Sequence, residues 1–135
     1  MNPEILLRFG LAIGIIGLGA FAYWLVNQRL LLRARNNVFT LFNKLPNKPV
    51  LVYFTTPDCA PCKTVQRPAI DRVSNLLGET LEVIEIDAYE QPDLAQTWGV
   101  LSVPTTFVID ERGKARYVNN GVARAEKLLE QIQTL

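Results

Sequence analysis

The chain has 135 residues, with 14 Lys or Arg against 13 Asp or Glu and no histidine. That length gives room for one compact domain and a short appendage, not for a second enzyme domain. The near-balanced charge excludes the electrostatic footprint of a nucleic-acid binder, and the missing histidine removes the usual general base near pH 7 and every Ser/His or Cys/His arrangement.

Phe9 to Val26 is an uninterrupted run of apolar and small residues, and Ile5 to Leu7 extend it. A helix needs about 20 such residues to cross roughly 30 Å of hydrocarbon, so the run predicts a single-pass membrane helix. Tyr23 and Trp24 at one end suit the headgroup level, and Arg8 at the other can snorkel. A cleaved signal peptide is the rival reading, because Ala20-Phe21-Ala22 has the small-x-small form of a cleavage site. Gly10 and Gly14, continued by Gly17, would allow close helix packing, although glycine is common in membrane helices anyway. Arg29, Arg33 and Arg35 follow the span, while only Arg8 and the amino terminus, offset by Glu4, precede it. The positive-inside rule therefore predicts a cytoplasmic domain, with an extracytoplasmic one as the alternative. Residues 1–35 are read as the anchor and a basic juxtamembrane segment, in which Asn27 to Arg35 continues as helix or as a short stretch with arginines able to touch anionic lipid, and residues 36–135 as the domain.

Within the domain, Val38, Leu41, Phe42 and Leu45 recur at helical spacing, so a first helix ends near Pro46 and the chain turns at Asn47-Lys48-Pro49. Val50 to Thr55 reads as a buried strand. Thr64 to Leu77 reads as a helix kinked by Pro68 and closed by Gly78. Leu81 to Asp87 is a strand, and Pro92 to Trp98 a short helix ended by Gly99. Thr105 to Ile109 and Ala115 to Asn119 flank a Gly-containing connection and form a hairpin, after which Val122 to Leu135 is a closing amphipathic helix. This order predicts an α/β domain, a mixed sheet with helices on both faces. Trp98 and Tyr89 read as core or rim aromatics, Asp87 equally as a solvated cap or a catalytic group, and Arg124, Glu126, Lys127 and Glu130 as a solvated helix face.

The chemistry points to Cys59 and Cys62, the only cysteines. Two thiolates cannot complete a structural zinc shell, so no metal is expected, and a loop this short gives a disulfide little stabilising leverage. Redox exchange is the leading reading, against an inert disulfide. Cys59 falls at the junction of a strand and a helix, where free N–H groups and the helix dipole favour a thiolate. Cys62 lies within one turn, close enough to resolve a mixed disulfide, and Pro61 is tolerated in a first turn.

The strand VLVYFT, then Cys59-Ala60-Pro61-Cys62-Lys63, Trp98-Gly99-Val100, Ser102-Val103-Pro104-Thr105 and Gly121 together resemble the thioredoxin family across about residues 36 to 135. The resemblance implies a thioredoxin-like fold in which Pro104 is cis and faces the disulfide while the Val103 backbone pairs with substrate. Ala60, Pro61, Val103 and Pro104 are then the candidate substrate-binding residues. Tyr53 stands where the family has a buried aspartate that assists the resolving cysteine, and Val83 replaces the lysine that pairs with it, so no buried charge is left alone. Asp58 replaces the tryptophan before the first cysteine, where it could cap the helix and would raise the Cys59 thiol. Tyr53 and Asp58 are thus candidate tuning residues. Pro68 falls one residue later than the family's kink proline.

The expected function is thiol–disulfide exchange with protein thiols and disulfides, without a cofactor beyond the Cys59–Cys62 pair. A thioredoxin reductase or a membrane electron donor would supply electrons. The alternatives are a dedicated redox partner in cytochrome or metal-site assembly, or a membrane-tethered adaptor or chaperone whose cysteines are dispensable.

Overall fold

A computed structural model describes residues 2–42 and 46–135. The apolar run does not stop at the domain. Helix α1 (Pro3–Phe42) continues unbroken for 40 residues, about 60 Å at 1.5 Å per residue. Its Pro3–Ala34 part is long and apolar enough to cross a membrane, and none of the most apolar window is buried against the domain. The anchor, the basic segment and the first domain helix are therefore one element, because nothing between Val26 and Phe42 breaks a helix. Leu30 and Ala34 are buried, and Leu31 and Leu41 pack against the core. The side chains of Arg35, Val38 and Phe42, and the whole of Leu45, lie outside the described residues.

Four strands follow, β1 (Val50–Thr55), β2 (Glu82–Asp87), β3 (Thr105–Ile109) and β4 (Ala115–Asn120), in the spatial order β2-β1-β3-β4. β1 and β2 are parallel, with Val50 opposite Glu82 and Thr55 opposite Asp87, because a helical crossover joins them. β3 is antiparallel to β1, pairing Ile109 with Val50 and Thr105 with Phe54, and the β3–β4 hairpin pairs Ile109 with Ala115 and Thr105 with Asn120. All six residues of β1 are buried, as a central strand covered on both faces requires.

Alternation along β1 sorts the core into two layers. Leu51 and Tyr53 face helix α2 (Arg67–Leu77) and helix α4 (Ala125–Gln133), meeting Ile70, Val73, Leu128 and Ile132. Val50, Val52 and Phe54 face α1 and helix α3 (Pro92–Trp98), meeting Ala34, Ala95, Trp98 and Phe107. The rings of Phe54, Trp98 and Phe107 lie 5.0–5.9 Å apart, offset or edge-on contacts worth about 0.5–1.5 kcal/mol each beyond burial. Gly99 closes α3 with φ +73°, and a Cβ there would come within 2.7 Å of Leu30 Cδ2. Both the left-handed turn and the approach of α1 thus require glycine.

The sequence reading of strands and of α3 matches this architecture. The closing helix differs, beginning at Ala125 rather than Val122. Gly121 to Arg124 stay outside the helix because Ala123 is held by another element, described next.

Candidate active site

β1 delivers the chain to the site. After Thr55 it turns through Pro57-Asp58, the Cys59 N–H donates to the Thr56 carbonyl (3.3 Å), and helical conformation starts at Ala60. Cys59 and Cys62 form a disulfide with 5.2 Å between Cα atoms. Cys59 is 8% exposed and Cys62 only 1%, so an approaching sulfur meets Cys59 first. Ala60 and Pro61, between them, are exposed.

The Cys62 N–H donates to Cys59 Sγ at 3.3 Å. A sulfur thus occupies the place that a capping oxygen takes at other helix starts, and a thiolate released there by reduction would face the same donor. Asp58 does not cap the helix: it is exposed, and its carboxylate accepts no hydrogen bond among the described residues. The cap has passed to the neighbouring sulfur.

Beyond the disulfide the helix widens into a π segment (Cys62–Gln66), whose closing bond runs from the Arg67 N–H to the Cys62 carbonyl, five residues back. Such a turn takes up one extra residue within a helix. It absorbs the late position of Pro68, whose missing N–H falls where the bonding changes from the π segment to α2. The Cys62 carbonyl accepts a second bond, from the Tyr53 hydroxyl at 3.3 Å. Burial pushes the Tyr53 phenol up; a hydrogen bond with Thr55 opposes this, Glu85 reinforces it and Arg67 opposes it. Tyr53 is therefore a protonated donor at neutral pH, and not an acceptor for the proton of a resolving thiol. Val83 packs against the same cluster as an apolar residue.

Sequence reasoning missed Gln66. Fully buried, it donates from Nε2 to the Ala123 carbonyl (3.0 Å) and accepts the Ala123 N–H at Oε1 (2.8 Å). This two-point clamp ties the helix of the cysteines to the loop after β4, and explains why α4 starts late. One signal was available: Gln66 falls on the Cys62, Ile70, Val73 face, a polar residue on a buried stripe.

The Val103-Pro104 bond is cis. Pro104 is buried, its carbonyl accepts the Gly121 N–H at 2.9 Å, and Val103 packs on the cluster that contains both cysteines. Thr56, Ala88, Ala95, Val100, Leu101 and Val103 border an open groove of about 380 Å³ beside it. Other candidates are structural. Asp87 Oδ1 accepts the N–H groups of Tyr89 (2.8 Å) and Glu90 (3.3 Å), capping the turn after β2, and Trp98 is core while Tyr89 is exposed.

A disulfide capping its own helix at the end of a central strand, beside a cis-proline loop, is the site arrangement of a thioredoxin-like fold. The sequence model of the Thioredoxin family matches residues 32–134, and the chain belongs to that family. It is 32% identical over 108 residues to thioredoxin Y, chloroplastic, of Oryza sativa subsp. japonica, an alignment covering 78% of this chain but 63% of that relative, less than two thirds of its length. A thioredoxin-like protein of Synechocystis sp. is 33% identical over 86 residues, covering 64% of this chain and 80% of that protein. The fold is also similar to that of Fasciola hepatica thioredoxin, with TM-score 0.61 and 23% identity over 73% of this chain and 91% of the other.

Proposed function

We propose that this chain exchanges disulfides with protein substrates while held at a membrane by α1, Cys59 acting as nucleophile and Cys62 as resolving thiol. The observation that carries the reading is the unequal burial of the two cysteines at the head of the helix. In the reducing direction, the Cys59 thiolate attacks one sulfur of a substrate disulfide. A mixed disulfide forms, and the other substrate sulfur leaves as thiolate. Cys62 then attacks Cys59 Sγ, the Cys59–Cys62 bond forms, and the second substrate sulfur leaves. Two electrons pass from the dithiol to the substrate, and its two sulfurs end as thiols; the oxidising direction reverses each step. No further group is needed. Ala60, Pro61, Val103 and Pro104 supply the surface on which the substrate strand lies, and a thioredoxin reductase or membrane donor restores the dithiol.

The test is trapping. Cys62→Ser should accumulate mixed disulfides with protein partners and Cys59→Ser should not; equal trapping by both would refute the assignment of roles. Exposed Asp58 beside the nucleophile supports a narrower reading, a dedicated partner, which slow insulin reduction combined with fast exchange with one membrane-side protein would select. The charges after the span favour a cytoplasmic domain. Labelling of the reduced cysteines by an impermeant thiol reagent only after permeabilisation is the expected result, and labelling in intact cells would reverse the orientation.

A further inference from the structure

Helix α1 leaves its apolar run at Val26 and reaches the domain almost at once. Gln28, with Leu31 and Leu32, lines a cleft whose other wall is Lys114, Ala115, Arg116 and Tyr117, and Leu30 is already 6% exposed. From Val26 to Leu30 the helix rises about 6 Å, comparable with the roughly 5–7 Å of polar layer on each side of the hydrocarbon. Groups beside Gln28 are therefore at headgroup depth when α1 spans a bilayer. Lys114 and Arg116 are distant from Gln28 in sequence, and the β3–β4 hairpin carries them there. Arg29 and Arg33 lie exposed on the adjoining turns of α1.

The acidic residues on the hairpin that carries Lys114 and Arg116 are Asp110 and Glu111. Asp110 is already engaged: its Oδ1 accepts the N–H groups of Arg112 (3.0 Å) and Lys114 (2.9 Å), and its Oδ2 lies 3.8 Å from Arg116 Nε. Cations outnumber anions at the point where the span meets the domain.

We propose that Arg29, Lys114 and Arg116 form a basic collar that seats the domain on the anionic lipid headgroups of the leaflet from which α1 emerges. This rests on α1 being a membrane span. Ala115 pairs with Ile109 and Ile109 with Val50, whereas Cys59 follows Thr55 at the opposite end of β1. Headgroups on the collar consequently leave the sulfurs uncovered, and two points of attachment restrict rotation of the domain about α1.

The full chain is reconstituted into vesicles of phosphatidylcholine alone or of equal parts phosphatidylcholine and phosphatidylglycerol, and floated through alkaline carbonate. An impermeant amine reagent then labels the outward-facing molecules, and labelling of Lys114 is read against Lys127 on the exposed face of α4. Lys114 should react at least about threefold more slowly, relative to Lys127, in the anionic vesicles. The difference should vanish in Arg116→Glu and in 1 M salt, where the screening length is about 3 Å. Unchanged insulin reduction would show that Arg116→Glu is folded. An equal Lys114 to Lys127 ratio in both lipids, in a chain that floats, overturns the collar and leaves the span standing. A chain that does not float overturns both.

Discussion

Replacing Gln66 by methionine keeps the volume of the side chain and removes both of its hydrogen bonds. The Ala123 N–H and carbonyl, in a residue only 1% exposed, then lose their partners together. A buried polar group left unpaired costs about 1–3 kcal/mol, so the pair should cost about 2–6 kcal/mol, a large part of the roughly 5–15 kcal/mol that holds a domain folded. With a urea dependence of about 1.5 kcal/mol per molar, a loss of about 3 kcal/mol lowers the midpoint by about 2 M. Urea unfolding of the full chain in detergent, followed by far-ultraviolet circular dichroism of the oxidised protein, measures it. Gln66→Glu adds a directional check. At neutral pH its carboxylate would face the Ala123 carbonyl oxygen, whereas in acid its hydroxyl can donate there, so stability should recover as the pH falls. A Gln66→Met midpoint within about 0.3 M of the parent would refute the clamp.

Tyr53→Phe removes one of the two donors to the Cys62 carbonyl, and a typical net hydrogen bond predicts a loss of about 0.5–1.5 kcal/mol in the same assay. Burial holds the Tyr53 phenol above its ordinary value of about 10; its protonated form therefore stabilises the fold fully below that value, and the contribution is lost as pH rises through the raised one. The parent should accordingly lose stability faster than Tyr53→Phe in alkaline urea titrations, and parallel curves would count against this. Gly99→Ala should cost about 1–2 kcal/mol from its left-handed backbone plus the 2.7 Å approach to Leu30. Leu30→Ala should remove only the second part, which a double-mutant cycle in urea measures. Asp58→Ala, by removing a carboxylate beside the sulfur, should speed iodoacetamide alkylation of reduced Cys59 at neutral pH; an unchanged rate would exclude an electrostatic role.

What could be read from the sequence was local. α3 was bounded to the residue because Pro92 starts it and Gly99 stops it, and β1 was bounded because six apolar, aromatic or β-branched residues lie between a proline turn and Thr56. The Cys59–Cys62 pair and Val103-Pro104 could be picked out for the same reason. What escaped depended on contacts between distant parts. Gln66 lies on a buried stripe of its helix, but its partner, Ala123, is 57 positions on, and the start of α4 moves with that contact. The π segment changes which carbonyl an N–H finds without changing apolar periodicity, so only the late Pro68 hinted at it. Asp58 could cap the helix by residue type, but the free Cys62 N–H donates to the Cys59 sulfur. Continuation of the helix through Asn27 to Arg35 was one of two readings of that segment and is what α1 shows; the burial of Leu30 and Ala34 in the core depends on contacts with distant parts.

That continuity bears on what a cut between α1 and the domain would do to the fold. Leu30 and Ala34 belong at once to the long apolar helix α1 and to the packed interior. A protease cutting after Ala34 would remove both from the core, and losing one buried leucine side chain alone costs about 2–5 kcal/mol. The released fragment would be close to unfolding, so cleavage there would amount to inactivation rather than the liberation of a soluble enzyme.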